Sequence, residues 1–180
     1  FKNLSGIDLN KEAVNFIKKN FKFIKIKHGS ALNINVKKKY DIILCNGVLH
    51  HTSSLEKGLK EINKILKKNG KIFLGLYFFK NSFFDLFVRI LRILSFLIPY
   101  EMMRIALSPF PIKYSDAILD HMYVPIIKLN SNNEILELFK KNQLILKKTK
   151  EFNPFIQKNT IFKRFLYNES FFRIYVLQRR

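Results

Sequence analysis

The run 40–77, YDIILCNGVLHHTSSLEKGLKEINKILKKNGKIFLGLY, constrains the fold more than any other stretch. Asp41-Ile-Ile-Leu-Cys45 is a short apolar stretch closed by the turn signal Asn46-Gly47, which predicts a strand buried on both faces. Ser53, with Glu56 three residues on, predicts a capping box, and Leu55, Leu59, Ile62, Ile65 and Leu66 fall on one helical face. Glu56 with Lys60, and Lys57 with Glu61, stand at i,i+4 spacing on the solvated side. Asn69-Gly70 is the expected helix stop, and Lys71-Ile-Phe-Leu-Gly-Leu-Tyr77 predicts a second buried strand. A strand, a helix and a strand in that order make a parallel pair with a right-handed crossover. Open parallel sheets bind ligands beyond the carboxyl ends of their strands, which puts Asn46, Gly47, His50 and His51 on the functional rim.

NGVLHHT, followed by a helix ending in LKKNGKIFLGLY, resembles the post-motif stretch of class I S-adenosylmethionine-dependent methyltransferases, in their type 11-like, small-molecule branch. Asn69 departs from the Pro-Gly or Gly-Gly wording of that pattern, while Gly70 keeps the helix stop. The resemblance implies a three-layer α/β, Rossmann-like sheet and S-adenosyl-L-methionine as cofactor. It also implies methyl transfer to a small-molecule or lipid-like acceptor. It covers residues 3–77 well and 131–178 loosely.

Leu4-Ser-Gly-Ile-Asp8 predicts a short strand ending in an acid, and Asn10 the N-cap of a helix carrying Ala13, Val14, Ile17 and Phe21. An acid at that place in a nucleotide-binding fold can accept hydrogen bonds from ribose hydroxyls. By residue type alone, Asp8 reads first as the opening of an ordinary strand-to-helix turn. The resemblance of GIDLN to the ribose-binding segment of the family implies cofactor contact at Asp8 and Leu9. Residues 21–27, FKFIKIK, predict a further strand with Phe21, Phe23, Ile24 and Ile26 apolar, followed by the turn His28-Gly29-Ser30-Ala31. The resemblance implies adenine contact at Ser30 and Ala31, and adds Asn46 and Gly47 to the cofactor rim.

In the family a first strand and a Gly-rich loop precede GIDLN. The six glycines here are scattered and form no G-x-G cluster. The expectation is therefore an N-terminally truncated domain that lacks its first strand and helix, about 30 residues at average element sizes. Such a chain is expected to be inactive by itself, with unpaired backbone exposed at the centre of its sheet.

Adjacent histidines point different ways from a loop, and no Cys or carboxylate cluster accompanies His50 and His51, so no metal site is expected. One histidine can orient the acceptor or remove its proton, and His51 is the catalytic candidate. Methyl transfer is an in-line displacement that needs mainly positioning and a deprotonated acceptor, so a dedicated base is not obligatory.

Beyond Tyr77 the sequence leaves the minimal pattern. FFDLFVRILRILSFLI, opened by Ser82 with Asp85 behind it, carries Asp85, Arg89 and Arg92 on one narrow stripe and is otherwise apolar. It is shorter than the roughly 20 residues a membrane span needs. A lid over the site, a helix lying in a membrane interface and a dimer contact all fit it. Asp120, His121 and Tyr123 sit in an irregular connector resembling an insert of some bacterial methyltransferases. Ser131-Asn-Asn-Glu134 is another capping box, opening a helix with Ile135, Leu136, Leu138 and Phe139 that runs to Asn142. Residues 144–150 and 171–178 predict strands, matching the family's closing antiparallel pair.

One incomplete domain is expected over 1–180: a cofactor-side core (1–77), a helical cap insertion (78–130), and a C-terminal helix with closing strands (131–180). The 33 basic and 13 acidic residues give a net charge of +20, which favours phosphate-rich partners or anionic membrane surfaces. The basic residues sit largely on solvated helix faces, so nucleic acid is not the expected partner, and peripheral membrane contact through 82–98 stands as one of the three readings of that segment. A lone Cys45 within a buried strand fits a reducing, cytoplasmic setting. Two other readings stay open. A nicotinamide dehydrogenase shares the acid after the strand but gives no reason for NGVLHHT. A basic membrane-surface interaction module would keep the fold without catalysis. The oligomeric state is left open.

Overall fold

The computed structural model describes residues 3–79, 83–109, 115, 119, 122–152 and 172–180. Strand β1 (Leu4–Asp8) leads into helix α1 (Lys11–Asn20). Asn10 caps that helix, its side-chain oxygen accepting the N–H groups of Glu12 at 2.8 Å and Ala13 at 3.1 Å, two donors with no partner inside the helix. Strand β2 (Ile24–His28) returns parallel to β1, with Ile26 opposite Gly6 and His28 opposite Asp8. The same unit recurs as β3 (Tyr40–Asn46), α2 (Leu55–Lys64) and β4 (Leu66–Phe79), with β3 and β4 parallel as the crossover rule requires. Helices α3 (Phe83–Leu94) and α4 (Tyr100–Ala106) follow. The short β5 (Asn130–Ser131) pairs with the end of β4 and enters α5 (Asn132–Lys141) through a complete capping box of Ser131 and Glu134. Strands β6 (Leu144–Phe152) and β7 (Phe172–Arg179) close the sheet as an antiparallel pair, in the order β3-β4-β7-β6.

The result is a mixed α/β sheet, with β1 and β2 standing as a separate two-stranded sheet among the described residues. The main core lies between the larger sheet and helices α2 and α5, built on Leu59, Ile62, Ile72, Leu74, Phe139 and Tyr175. Ala31 and Ile34, in the loop after β2, pack against this core and so attach the first unit to the second.

Four local expectations are corrected. Strand β3 is buried on one face only: Cys45 is buried and Ile43 packs on the core, but Ile42 and Leu44 face outward, Leu44 with 76% of its surface exposed. Neighbouring residues of a strand point to opposite faces, and no described element covers the second face. Helix α2 is capped by Ser54 rather than Ser53, its side chain accepting the Lys57 N–H at 3.2 Å, while Glu56 pairs with Lys141. That helix also stops at Lys64, short of Asn69. Tyr40 N–H donates to the Ile65 carbonyl at 2.8 Å and Leu66, fully buried, pairs with Tyr40, so strand pairing and burial replace a further helical turn. The chain then turns at Asn69, which adopts φ +61°, a left-handed conformation that asparagine tolerates better than most residues. Strand β2 begins at Ile24, later than expected, leaving Phe21 as the α1 C-cap and Phe23 exposed.

Glu61, expected on the solvated face of α2, is instead buried. Its carboxylate forms an ion pair with Lys64 and accepts the Ile34 N–H at 3.1 Å. The Lys64 ammonium first, and the Ile34 N–H after it, hold the carboxyl below the ordinary glutamate value of 4.5. A carboxyl lowered in the native state stabilises fully above its unfolded value, and this is lost as pH falls through the native one. Glu61→Ala, which strands the half-buried Ile34 N–H, is expected to cost about 1–2 kcal/mol at neutral pH. The cost should shrink below about pH 4, as urea titrations at the two pH values would measure.

Candidate functional site

The carboxyl ends of the parallel strands gather two groups of side chains. At the end of β1, Asp8 is exposed and its Oδ1 accepts the Asn10 N–H at 2.8 Å, which turns the chain into α1 and presents the rest of the carboxylate outward. Leu9 beside it is 70% exposed. The end of β2 is tied to this corner: Gly29 N–H donates to the Asp8 carbonyl at 2.9 Å, and His28 Nε2 lies 3.0 Å from the Leu9 carbonyl. Ser30 opens the next turn, its hydroxyl accepting the Leu32 N–H at 3.1 Å, and Ala31 packs inward on the core. The structure thus joins Asp8 and Leu9 to the Gly29-Ser30 turn.

Asn46 and Gly47 end β3 in the second group. Gly47 takes φ +74°, its N–H donates to the Gly75 carbonyl at 3.0 Å, and a side chain there would meet no heavy atom within 4 Å. This opening and the outward-facing Asp8 carboxylate suit a nucleoside ligand, which needs acceptors for its hydroxyls and close approach to backbone. Gly75, opposite Asn46 on β4, is a site residue that the sequence reading missed. A methyl at Gly75 would collide with Asn46 Oδ1 and Phe172 Cζ, so the glycine is what lets Asn46 lie across the strand. A glycine inside a strand is the available signal for such close approach. Gly75→Ala is expected to destabilise the fold by about 1–3 kcal/mol through overpacking, measured by chemical denaturation.

A 3-10 turn (Leu49–His51) follows, setting His50 and His51 edge to face with ring centroids 4.1 Å apart. Their hydrogen bonds assign opposite tautomers. A carbonyl only accepts, so His51 Nδ1, 3.0 Å from the Ile126 carbonyl, carries the proton and leaves the basic lone pair on Nε2. A backbone N–H only donates, so His50 Nδ1, 3.3 Å from Tyr77 N, is the lone-pair nitrogen. His50 is buried, with its ring centroid 4.3 Å from that of Tyr77, whereas His51 is half-buried. Tyr77 in turn lies edge-on to Phe172, 5.3 Å away across the β4–β7 pair. The Lys128 N–H donates to the His50 carbonyl at 2.8 Å, so residues 126–128 form a strap across both histidines. Tyr77 could have been found from its place at a strand end. The strap could not, because it meets His51 from 75 residues away.

Cys45, buried at the end of the same strand, is no nucleophile: loss of hydration pushes its thiol up to about 12. Asp120 and His121 of the connector lie outside the described residues. Tyr123 does not face the histidines; its hydroxyl donates to the Ile98 carbonyl at 2.7 Å and its ring packs on Tyr100.

Residues 1–74 match the family model described as methyltransferase domain. Over 67 residues the chain is 39% identical to the tRNA U34 carboxymethyltransferase of Campylobacter fetus, covering 37% of this chain and 23% of that protein. Among solved structures, PKMT2 from Rickettsia typhi superimposes with a TM-score of 0.68 at 18% identity, over 99% of this chain and 45% of that one. Its complex with AdoHcy gives 0.64 at 17% identity. The YcgJ protein of Bacillus subtilis gives 0.60 at 16% identity, over 99% of this chain and 83% of that one. The chain therefore spans about a quarter of the curated relative and under half of the Rickettsia protein.

Proposed function

We propose that the chain is part of a class I S-adenosylmethionine-dependent methyltransferase that methylates a small-molecule or lipid-like acceptor held beside His51, a reading supported by the match of residues 1–74 to the methyltransferase domain model. The observation that carries this reading is the placement of two adjacent histidines at the carboxyl rim of the sheet, His51 Nδ1 standing 3.0 Å from the Ile126 carbonyl and His50 Nδ1 3.3 Å from the Tyr77 nitrogen. S-adenosylmethionine supplies an electrophilic methyl group when bound. Asp8 accepts hydrogen bonds from its ribose hydroxyls, Leu9 offers an apolar surface beside them, and the Ser30-Ala31 turn meets the adenine. Asn46 and Gly47 complete the cofactor rim, the opening at Gly47 leaving room for close approach of the cofactor to the backbone. His51 Nε2 takes the proton from the acceptor heteroatom, while the Ile126 carbonyl holds the imidazole in the tautomer that can do so. Buried His50 and Tyr77 fix the turn on which His51 stands. The test is isothermal calorimetry of S-adenosylhomocysteine on the full-length protein, followed by transfer of a labelled methyl group to fractionated small molecules and lipids. Absence of binding heat would remove the reading.

A second reading, an RNA acceptor, is supported by the tRNA-modifying Campylobacter relative and the net charge of +20. Labelled methyl appearing in tRNA rather than in the small-molecule or lipid fractions would decide for it.

A further inference from the structure

Between β4 and the strap, helices α3 and α4 and the turn joining them hold nine large apolar side chains out in solvent. On α3, Leu86, Ile90 and Ile93 recur at helical spacing on one face. The turn carries the two most exposed of the nine, Phe96 at 89% and Leu97 at 77%. On α4, Met102 and Ile105 continue the apolar surface one turn apart, with the Arg104–Glu101 pair, 2.8 Å, among the exposed residues of the same helix. We propose that these two helices and the turn joining them dock on an anionic lipid bilayer, with Phe96 and Leu97 entering first.

Exposure, charge and length favour a bilayer as the occupant. Apolar exposure peaks at Phe96 and Leu97 in the turn, which suits insertion of the turn among acyl chains. The described stretch 83–109 contains three basic side chains, Arg89, Arg92 and Arg104, against two acidic ones, Asp85 and Glu101, within a chain of net charge +20. Each basic residue near an anionic membrane contributes about 1 kcal/mol of attraction. Long basic stems let an apolar surface sink while the charge stays at the headgroups. Helix α3 has 12 residues, about 18 Å at helical rise, too short to cross a bilayer. No helix among the described residues is long and apolar enough to do so. A helix of this kind lies in the interface plane. The turn is also anchored to the body: Tyr123 holds the Ile98 carbonyl at the turn, three residues before Ile126 contacts His51. The docking itself does not depend on methyl transfer.

The experiment is co-sedimentation of the full-length protein with phosphatidylcholine vesicles, with and without phosphatidylglycerol, for wild type and Phe96→Ser/Leu97→Ser. Both residues are exposed, so the double variant should keep its far-ultraviolet circular dichroism and S-adenosylhomocysteine affinity. Wild type is expected to sediment with the anionic vesicles, and the double variant to bind them at least tenfold more weakly. No sedimentation, or equal binding by the variant, would overturn the proposal. So would a concentration-dependent dimer that the substitutions dissolve, because a second copy would then cover the face.

Discussion

Asp8→Ala is expected to lower the affinity of the full-length protein for S-adenosylhomocysteine by at least about 100-fold. Two hydrogen bonds from ribose hydroxyls to one carboxylate are charge-assisted, at about 1.5–3 kcal/mol each, and about 3 kcal/mol is a factor near 100 in dissociation constant. The same substitution removes the Asp8–Asn10 hydrogen bond, but at an exposed turn. Stability should therefore change by only about 1 kcal/mol or less. Asp8→Asn, which keeps an acceptor and loses the charge, should fall between, about tenfold weaker than wild type. Calorimetry measures all three proteins, and thermal unfolding without ligand supplies the control. If Asp8→Ala bound as wild type does, the carboxylate would be a turn former only and the ribose assignment would fail.

His51→Asn should reduce kcat by about 10²–10⁴ while leaving KM and cofactor affinity near their wild-type values. Asparagine is the informative replacement because its amide N–H can still donate to the Ile126 carbonyl, keeping the strap in place, while nothing remains where Nε2 stood. Single-turnover methyl transfer reads the effect on the chemical step, and calorimetry the cofactor affinity. An unchanged kcat would assign His51 to holding residues 126–128 and leave the rate to positioning alone.

The two assignments differ in how far they could be read from the amino-acid order. Asp8 was legible because its surroundings are local: an alternating stretch, an acid, and Asn10 two residues later to cap the next helix. The Ser131–Glu134 capping box was legible for the same reason, both partners lying within one turn. At α2 a similar pattern misled by one residue, because Ser53 and Ser54 offer equivalent hydroxyls and only the path of the chain selects between them. Glu61 is the larger departure. Helical periodicity put it on the solvated face, and the loop after β2 folded over it and supplied Ile34 as a partner 27 residues away.

By itself the sequence determined the strand-helix-strand units, their parallel order, the carboxyl-end rim and the residues standing there. Each follows from contacts within a few residues or from the handedness of short crossovers. Tertiary structure alone decided that β4 reaches back to Leu66, that β3 keeps Ile42 and Leu44 in the open, and that Gly75 makes room for Asn46. It also decided which groups stand opposite the ring nitrogens of the two histidines. Which nitrogen keeps its proton depends on whether a donor or an acceptor arrives opposite it, and those groups come from Tyr77 and Ile126, 27 and 75 residues along the chain.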